Sequence, residues 1–145
     1  MATFETNYLG NLRTEARHIL SDKTIITDAP PDNMGRGEAF SPTDLMSSSL
    51  VSCMITIMGI SAEKNNYSID GLKTKATKIM ASNPRRVAEI QIEMYFPDIN
   101  YTESEKNMIY NAAMNCPVAK SLHPDLLFFV KYFFKDETVE LKSRN

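Results

Sequence analysis

Two cysteines are the residues of this sequence best suited to chemistry, and they lie 63 positions apart, at Cys53 and Cys116. A thiolate acts as a nucleophile, binds metals or forms a disulfide with a second thiol. Either cysteine could instead be a small core residue, because free cysteine is among the most buried residue types. The sequence around each one has to be weighed against both interpretations.

The two cysteines differ in their local sequence. Cys53 shares a helical stripe with Leu50 and Ile57, where apolar neighbours keep a thiol protonated and inert unless a cation lies close. Cys116 precedes Pro117, which suits the first position of a helix. A thiol at such a cap faces unpaired backbone N–H groups, which lower its pKa. The sequence therefore predicts a lowered pKa for Cys116.

A reactive thiolate also needs a cation, and a carboxylate can hold that cation in place. The candidates in the first third of the chain are Arg13, Arg17 and Arg36, with Glu38 as the carboxylate. Each of them could equally be a solvated surface charge. A guanidinium within about 4 Å would offset much of the desolvation of a thiolate and stabilise a developing alkoxide.

Other chemistries find little support in the sequence. His18 and His123 are the only histidines and no C-x-x-C or H-x-x-x-H spacing occurs, so a metal site of Cys53, Cys116 and a histidine is not favoured. No serine-nucleophile or phosphate-loop motif is present. The net charge of −2 argues against nucleic-acid binding. We expect neither a metal nor another cofactor.

The elements that position these residues are predicted to form a single α+β domain over residues 1–145. The first 28 residues alternate in the manner of strands, and APPDNMGRGEAF predicts a loop. Ser41, Pro42 and Asp44 form a helix-start box. The apolar run that follows, to about Lys64, predicts a central helix covered on several sides.

The second half of the chain predicts a hairpin, two helices and a last strand. Residues 67–81 and 87–96 predict two strands around Asn83-Pro84, the second of them half-buried and antiparallel. Thr102 and Glu105 predict a helix start, and Cys116 opens a shorter helix. The segment 126–134 predicts a strand apolar on both faces, of which either the chain itself or a partner covers the second.

The chain lacks the sequence patterns of a membrane or secreted protein. No run of about 18 apolar residues occurs. The N-terminal residues lack the pattern of a secretion signal. We expect a cytoplasmic protein without a membrane partner, where paired cysteines are more often catalytic, metal-binding or sensing than structural.

Two motifs resemble the OsmC and organic hydroperoxide resistance superfamily. The first, GEAFSPTDLMSSSLVSCM, fits that family's (N/S/T)-P-x-x-L with a cysteine 11 positions after the proline, on Pro42, Leu45 and Cys53. The second, CPVAK from Cys116, fits C-P-(V/I)-(S/A)-x. The predicted order of elements agrees over essentially the whole chain. The motifs are specific for the superfamily and less so for a subfamily.

The resemblance implies the OsmC-like fold, with antiparallel sheets wrapped around a central buried helix in an intertwined homodimer. It also implies a thiol-dependent peroxidase in oxidative or osmotic stress defence. Cys53 would attack an organic hydroperoxide, Cys116 would resolve the sulfenic acid as a disulfide, and an external dithiol would reduce that disulfide. The family's activating arginine falls on Arg13, with Arg17 as the alternative.

One position departs from the hydroperoxide-resistance branch of the family. There a glutamate directly after the helix-start proline orients the arginine, whereas this chain has Thr43. Asp44 is expected to serve the helix cap, which leaves Glu38 as the substitute. The departure keeps a second hypothesis open, that of a non-catalytic or redox-sensing stress protein that has lost the arginine–glutamate clamp.

Overall fold

The structure is a computed structural model that describes residues 1–143. It has the α+β architecture predicted from the sequence, with two sheets and a long helix. The chain divides into two compact units, the first over Met1–Met46 and the second from Ser47 onward.

The first unit is a three-stranded antiparallel sheet followed by a loop. Its strands are β1 (Phe4–Gly10), β2 (Arg13–His18) and β3 (Thr24–Asp28), in that order across the sheet. The predicted strands are thus confirmed. The register of β2 and β3 places Arg13 directly opposite Asp28, so their side chains leave the sheet on the same face.

The loop between β3 and the long helix is predicted correctly and contains one short 3₁₀ turn, Pro31–Asn33. It folds back closely on β3, because the N–H of Gly37 donates to the carbonyl oxygen of Ala29 (3.2 Å). A Cβ atom on Gly35 would lie 1.7 Å from that same oxygen, so only glycine fits there.

The long helix α1 (Pro42–Lys64) starts at the predicted box. Ser41 Oγ accepts from the N–H of Asp44 (3.1 Å), and Asp44 Oδ2 accepts from the N–H of Ser41 (2.9 Å). Along one side of α1, Leu50, Met54 and Met58 are fully buried, as the apolar pattern predicts.

By length and composition alone, α1 is long and apolar enough to cross a membrane, contrary to the expectation from the sequence. The core helix of a soluble protein meets the same criterion, and Leu50, Met54 and Met58 of α1 are buried within the protein.

The second unit carries a four-stranded sheet with two helices in one of its connections. The strands are β4 (Lys73–Ala81), β5 (Arg86–Tyr95), β6 (Leu127–Phe133) and β7 (Thr138–Lys142), adjacent in that order. Between β5 and β6 lie α2 (Glu103–Met114) and α3 (Pro117–Ser121), both of which were predicted.

Three details of this sheet differ from the prediction. The first predicted strand begins at Lys73 rather than residue 67, because a turn closed by the Leu72 N–H on the Ile69 carbonyl precedes it. β5 pairs antiparallel with β4 but parallel with β6, since the helical crossover returns the chain in the same direction. The strand β7 was missed.

The two faces of this sheet differ in burial. Ile90, Ile92 and Met94 of β5 are buried as the alternation predicts, together with Val130 and Tyr132 of β6. The opposite face, which includes Phe129 and Phe133, is only partly covered within the chain. Of the two apolar faces predicted for the segment 126–134, the chain itself therefore fully buries one.

Candidate active site

The two cysteines meet in the second unit and are unequal in exposure. Cys53 lies on α1 and is partly exposed, whereas Cys116 lies between α2 and α3 and is fully buried. Both are free thiols, and Cys53 lies close enough to Cys116 to raise the pKa of the Cys116 thiol. An accessible thiol in contact with a buried one can react with a solute and then pass the oxidation to its neighbour.

The position of Cys116 follows from the helix start that the sequence predicts. Cys116 is the N-cap of α3, Pro117 occupies the first turn, and Cys116 Sγ accepts from the N–H of Ala119 (3.4 Å). This cap fixes the side chain of Cys116 while the backbone turns from α2 into α3.

The predicted lowering of the Cys116 pKa is wrong. Burial is the largest influence and raises the pKa of this thiol, and the hydrogen bond to Cys53 raises it further. The N–H of Ala119 acts in the opposite direction but is outweighed. The sequence revealed the cap but not the depth at which it lies, so the sign of the shift could not be predicted.

The first unit holds a charged cluster around Arg13. Arg13 Nε donates to Asp28 Oδ1 (2.7 Å), and Nη2 donates to Asp28 Oδ2 (2.9 Å) and Glu38 Oε2 (3.0 Å). The two bonds to Asp28 form the bidentate pair that favours a fixed guanidinium orientation. Within residues 1–143, Nη1 donates to no protein acceptor.

The two carboxylates of this cluster differ in burial. The side chain of Asp28 is 2% exposed, that of Glu38 is 60% exposed, and that of Arg13 is 32% exposed. Asp28 Oδ2 also accepts from the N–H of Glu38 (3.0 Å). The hydrogen bond from Arg13 is the largest influence on Asp28 and lowers its pKa, with Arg36 adding a weaker effect in the same direction.

Asp28 is the residue of this cluster that sequence reasoning missed. Glu38 was predicted to hold the arginine and does contact it, but with one oxygen and from an exposed position. A signal for Asp28 was present, since an acidic residue ends the strand that precedes the loop. The pairing of β2 with β3 that makes the signal meaningful became visible only in the structure.

The remaining predicted charges lie elsewhere. Arg17 pairs with the exposed Glu5 (2.9 Å) and Asp22 (3.0 Å) on the surface of the first sheet. Thr43, at the position of the family glutamate, has its hydroxyl 3.2 Å from that of Ser41. Asp44 serves the helix cap, as expected.

Neither a metal cluster nor the large cleft of the second unit accounts for the cysteines. Residues 1–143 contain no group of three or more His, Cys, Asp or Glu side chains placed to hold a metal ion. A cleft of about 650 Å³ lies between α2, α3 and the β6–β7 strands, but neither Cys53 nor Cys116 lines it.

Comparisons with known proteins agree with the arrangement of elements. The profile of the OsmC-like protein family matches residues 35–128. A structure from Psychrobacter arcticus, provisionally described as an osmotic stress induced and detoxification response protein, is 48% identical, with a TM-score of 0.84 over 92% of this chain and 96% of that one. No curated protein matches the chain significantly.

More distant structures share the fold. An organic hydroperoxide resistance protein OsmC from Legionella pneumophila has a TM-score of 0.65 at 13% identity, over 92% of this chain and 97% of that one. A Vibrio cholerae protein, provisionally named for organic hydroperoxide resistance and holding captopril in one active site, has a TM-score of 0.67 at 11% identity, over 96% and 95%. With the family profile covering more than half of its length, this chain belongs to the OsmC-like family.

Proposed function

We propose that this protein is a thiol peroxidase that reduces organic hydroperoxides in stress defence. The observation that carries the proposal is the contact between the partly exposed thiol of Cys53 and the buried thiol of Cys116. Membership of the OsmC-like family supports a role in the response to stress or peroxide, since relatives of the same fold are named for organic hydroperoxide resistance.

The proposed reaction has two steps within the protein. The Cys53 thiolate attacks the outer peroxide oxygen, the O–O bond breaks, Cys53 becomes a sulfenic acid, and the alkoxide takes up a proton to leave as the alcohol. Cys116 then attacks the sulfenic sulfur, which forms the disulfide and releases water. An external dithiol reduces the disulfide and thereby restores both thiols.

The burial of Cys116 supports its assignment to the second step. Burial raises the pKa of Cys116, so this thiol stays protonated and does not compete for peroxide. Since Cys116 lies close enough to Cys53 to be affected by it, Cys116 is placed to attack the sulfenic sulfur once Cys53 is oxidised. The accessible Cys53 is the thiol that a hydroperoxide reaches first.

Arg13 is the proposed activating cation. Its two Nη1 N–H groups are unused by residues 1–143, and a third of its side chain is exposed, so it can donate to a thiolate or a peroxide oxygen. A fixed guanidinium that stabilises developing oxyanion charge raises the rate of the chemical step. Arg17 is not favoured for this role, because exposed carboxylates occupy it on the surface.

The active form is proposed to be a homodimer. The face of the first sheet that carries Phe4, Tyr8 and Ile25 leaves these side chains 63%, 66% and 51% exposed. Exposed apolar residues grouped on one sheet face favour burial against a partner, and a second copy of the chain is the proposed partner. In analytical ultracentrifugation we expect the wild-type protein to sediment as a dimer and Tyr8→Glu to sediment as a monomer.

The two free thiols suit a reducing compartment, so the protein is proposed to act in the cytoplasm. The partly exposed apolar side chain of Ile57, one helical turn from Cys53 on α1, favours organic over inorganic peroxides. The reductant is proposed to be a dithiol, because a buried disulfide is opened by two successive thiol exchanges.

The test is a thiol count after exposure of the pure protein to a slight excess of cumene hydroperoxide. Wild type is expected to lose both thiols rapidly, form one disulfide and release one equivalent of alcohol. Cys53→Ser is expected to keep its remaining thiol, and Cys116→Ser to stop at the sulfenic acid, which dimedone traps. Two thiols that persist in wild type would overturn the proposal.

The same experiment separates the proposal from the redox-sensing alternative. A sensor would form the disulfide once and turn over slowly, whereas a peroxidase consumes many equivalents when a dithiol such as dithiothreitol is supplied. Sustained turnover is expected, because the bidentate pair with Asp28 restrains Arg13 although Thr43 stands at the position of the family glutamate.

A further inference from the structure

We propose that Asp28 is the positioning residue of Arg13 and that it keeps the Nη1 edge of the guanidinium available to donate to a thiolate or a peroxide oxygen. The inference rests on the proposed function of Arg13. Both carboxylate oxygens of Asp28 accept hydrogen bonds from the Nε and Nη2 groups of Arg13. The remaining Nη1 edge then has its two N–H groups available.

The orientation is fixed because Asp28 itself is fixed from several directions. Its backbone N–H donates to the carbonyl oxygen of Phe40 (3.1 Å), and its Oδ2 accepts from the N–H of Glu38 (3.0 Å). The pairing of β2 with β3 sets Arg13 directly opposite. A carboxylate restrained by a sheet on one side and a loop on the other has one available geometry, and the guanidinium must adopt it.

Glu38 cannot carry this role to the same extent. It contacts Arg13 through one oxygen at 3.0 Å, and its side chain is largely in solvent. An exposed single contact contributes little to orientation, because the long side chain retains its freedom and water screens the pair. The hydrogen bond from Arg13 is the largest influence on the pKa of Asp28 and lowers it, whereas the backbone N–H of Glu38 and the charge of Arg36 lower it less, so Arg13 and Asp28 are the dominant pair.

The test compares Asp28→Asn with Glu38→Gln in a Cys116→Ser background, where Cys53 is the only thiol. Both substitutions keep the size of the side chain and remove its charge. We expect Asp28→Asn to slow the reaction of Cys53 with cumene hydroperoxide about 10- to 100-fold, as misplacement of a catalytic group does. We also expect it to move the pH profile of Cys53 alkylation by iodoacetamide to higher pH. Glu38→Gln should slow the reaction by a smaller factor, about threefold, because its single exposed contact contributes less to the orientation of Arg13.

A double-mutant cycle separates positioning from a structural role. If Asp28 acts through Arg13, Asp28→Asn has no further effect on the rate once Arg13→Ala is present. If the two losses multiply, or if Asp28→Asn leaves both the rate and the alkylation profile as in wild type, the proposal is wrong. Circular dichroism of each variant reports whether the fold is kept.

A conservative variant keeps the test valid if Asp28→Asn does not fold. Asp28→Glu retains the charge but moves it by one methylene, and its rate is expected to lie between those of wild type and Arg13→Ala. A wild-type rate in Asp28→Glu would contradict the fixed geometry. Failure of the proposed function can be told apart from failure of this inference. If the wild-type protein does not reduce peroxide, the pH profile of Cys53 alkylation still shows whether Asp28→Asn changes the thiol.

Discussion

The Lys106 cluster of the second unit and the Arg13 cluster of the first unit each bind a cation between carboxylates, yet they are built in opposite ways. In the second unit, Lys106 of α2 is fully buried, and its Nζ reaches Asp136 (2.9 Å) and Glu137 (2.7 Å), which are about half exposed. It also lies 5.0 Å from the centre of the Phe134 ring. In the first unit the carboxylate of Asp28 is buried and the cation, Arg13, is partly exposed.

The difference shows which cluster can serve a solute. Lys106 of α2 donates three hydrogen bonds to the carboxylates of Asp136 and Glu137, so it links this helix to the turn between β6 and β7. Arg13 is bound by the buried carboxylate of Asp28, and its Nη1 group donates to none of the described residues. A buried carboxylate with a partly exposed cation, as in the Arg13 cluster, presents positive charge to solvent. A buried cation with exposed carboxylates, as in the Lys106 cluster, stabilises the packing of a helix against a turn.

The largest expected effect separates the two cations by activity. Arg13→Ala is expected to slow the reaction of Cys53 with cumene hydroperoxide about 10²–10³-fold, because the charge that stabilises thiolate and alkoxide is gone. Lys106→Met, which keeps the buried stem and removes the charge, is expected to stay within about twofold of wild type, since a tie between a helix and a turn touches no reacting atom. Stopped-flow rates measure both. Equal losses in the two variants would break the comparison.

How far the sequence predicts this site depends on how local each feature is. The caps at Ser41 and Thr102 and the helix start at Cys116 are encoded within a few residues, and each was predicted where the structure has it. The cysteine pair was predicted from motif spacing, and Arg13 from the resemblance to the family. Asp28 could not be recognised in that way, because its partner lies 15 positions away across a strand pairing.

The misses share a cause in tertiary context. The rise in the Cys116 pKa depends on burial that no local pattern reports. The strand β7 is short, and although Val139 and Leu141 alternate with polar residues, only its pairing with β6 makes it a strand. The parallel pairing of β5 with β6 likewise follows from the crossover through α2 and α3 rather than from the composition of either strand.

A smaller effect is expected from the loop that holds the anchor. A Cβ on Gly35 would lie 1.7 Å from the Ala29 carbonyl oxygen, so Gly35→Ala must displace the loop that brings the Glu38 N–H to Asp28. We expect the peroxide rate to fall about tenfold, as when a positioning contact is loosened. Gly59→Ala is the matched control, because its Cβ meets no atom within 4 Å in the middle of α1.

In that control the helix should gain stability of roughly 0.5–1 kcal/mol, as expected for Gly→Ala in a helix interior. The peroxide rate of Gly59→Ala should stay at the wild-type value. If Gly35→Ala also keeps the wild-type rate, the restrained loop is not what distinguishes Arg13 from Lys106, and the orientation of Arg13 comes from the strand pairing alone.

The smallest expected effect is the pH dependence of stability, in which Asp28 titrates in acid and Lys106 titrates in base. The pKa of Asp28 is lowered from 3.8, mainly by its hydrogen bond with Arg13, so the stability it contributes is present above pH 3.8 and is lost as pH falls through the lowered value. The pKa of Lys106 is raised from 10.5, mainly by its hydrogen bond with Glu137, so its contribution is present below pH 10.5 and is lost as pH rises through the raised value.

Urea unfolding of wild type, Asp28→Asn and Lys106→Met at pH 3, 7 and 11 measures these contributions. The gap between wild type and Asp28→Asn should narrow at pH 3 and stay unchanged from pH 7 to 11, because Arg13 remains charged throughout. The gap for Lys106→Met should narrow at pH 11. It should also narrow in acid, since hydrogen bonding to Lys106 lowers the pKa of Asp136 in the same way. A loss of the Asp28 contribution already between pH 7 and pH 5 would mean that Arg13 does not hold this carboxylate in solution, and the contrast between an anchored and an enclosed cation would no longer stand.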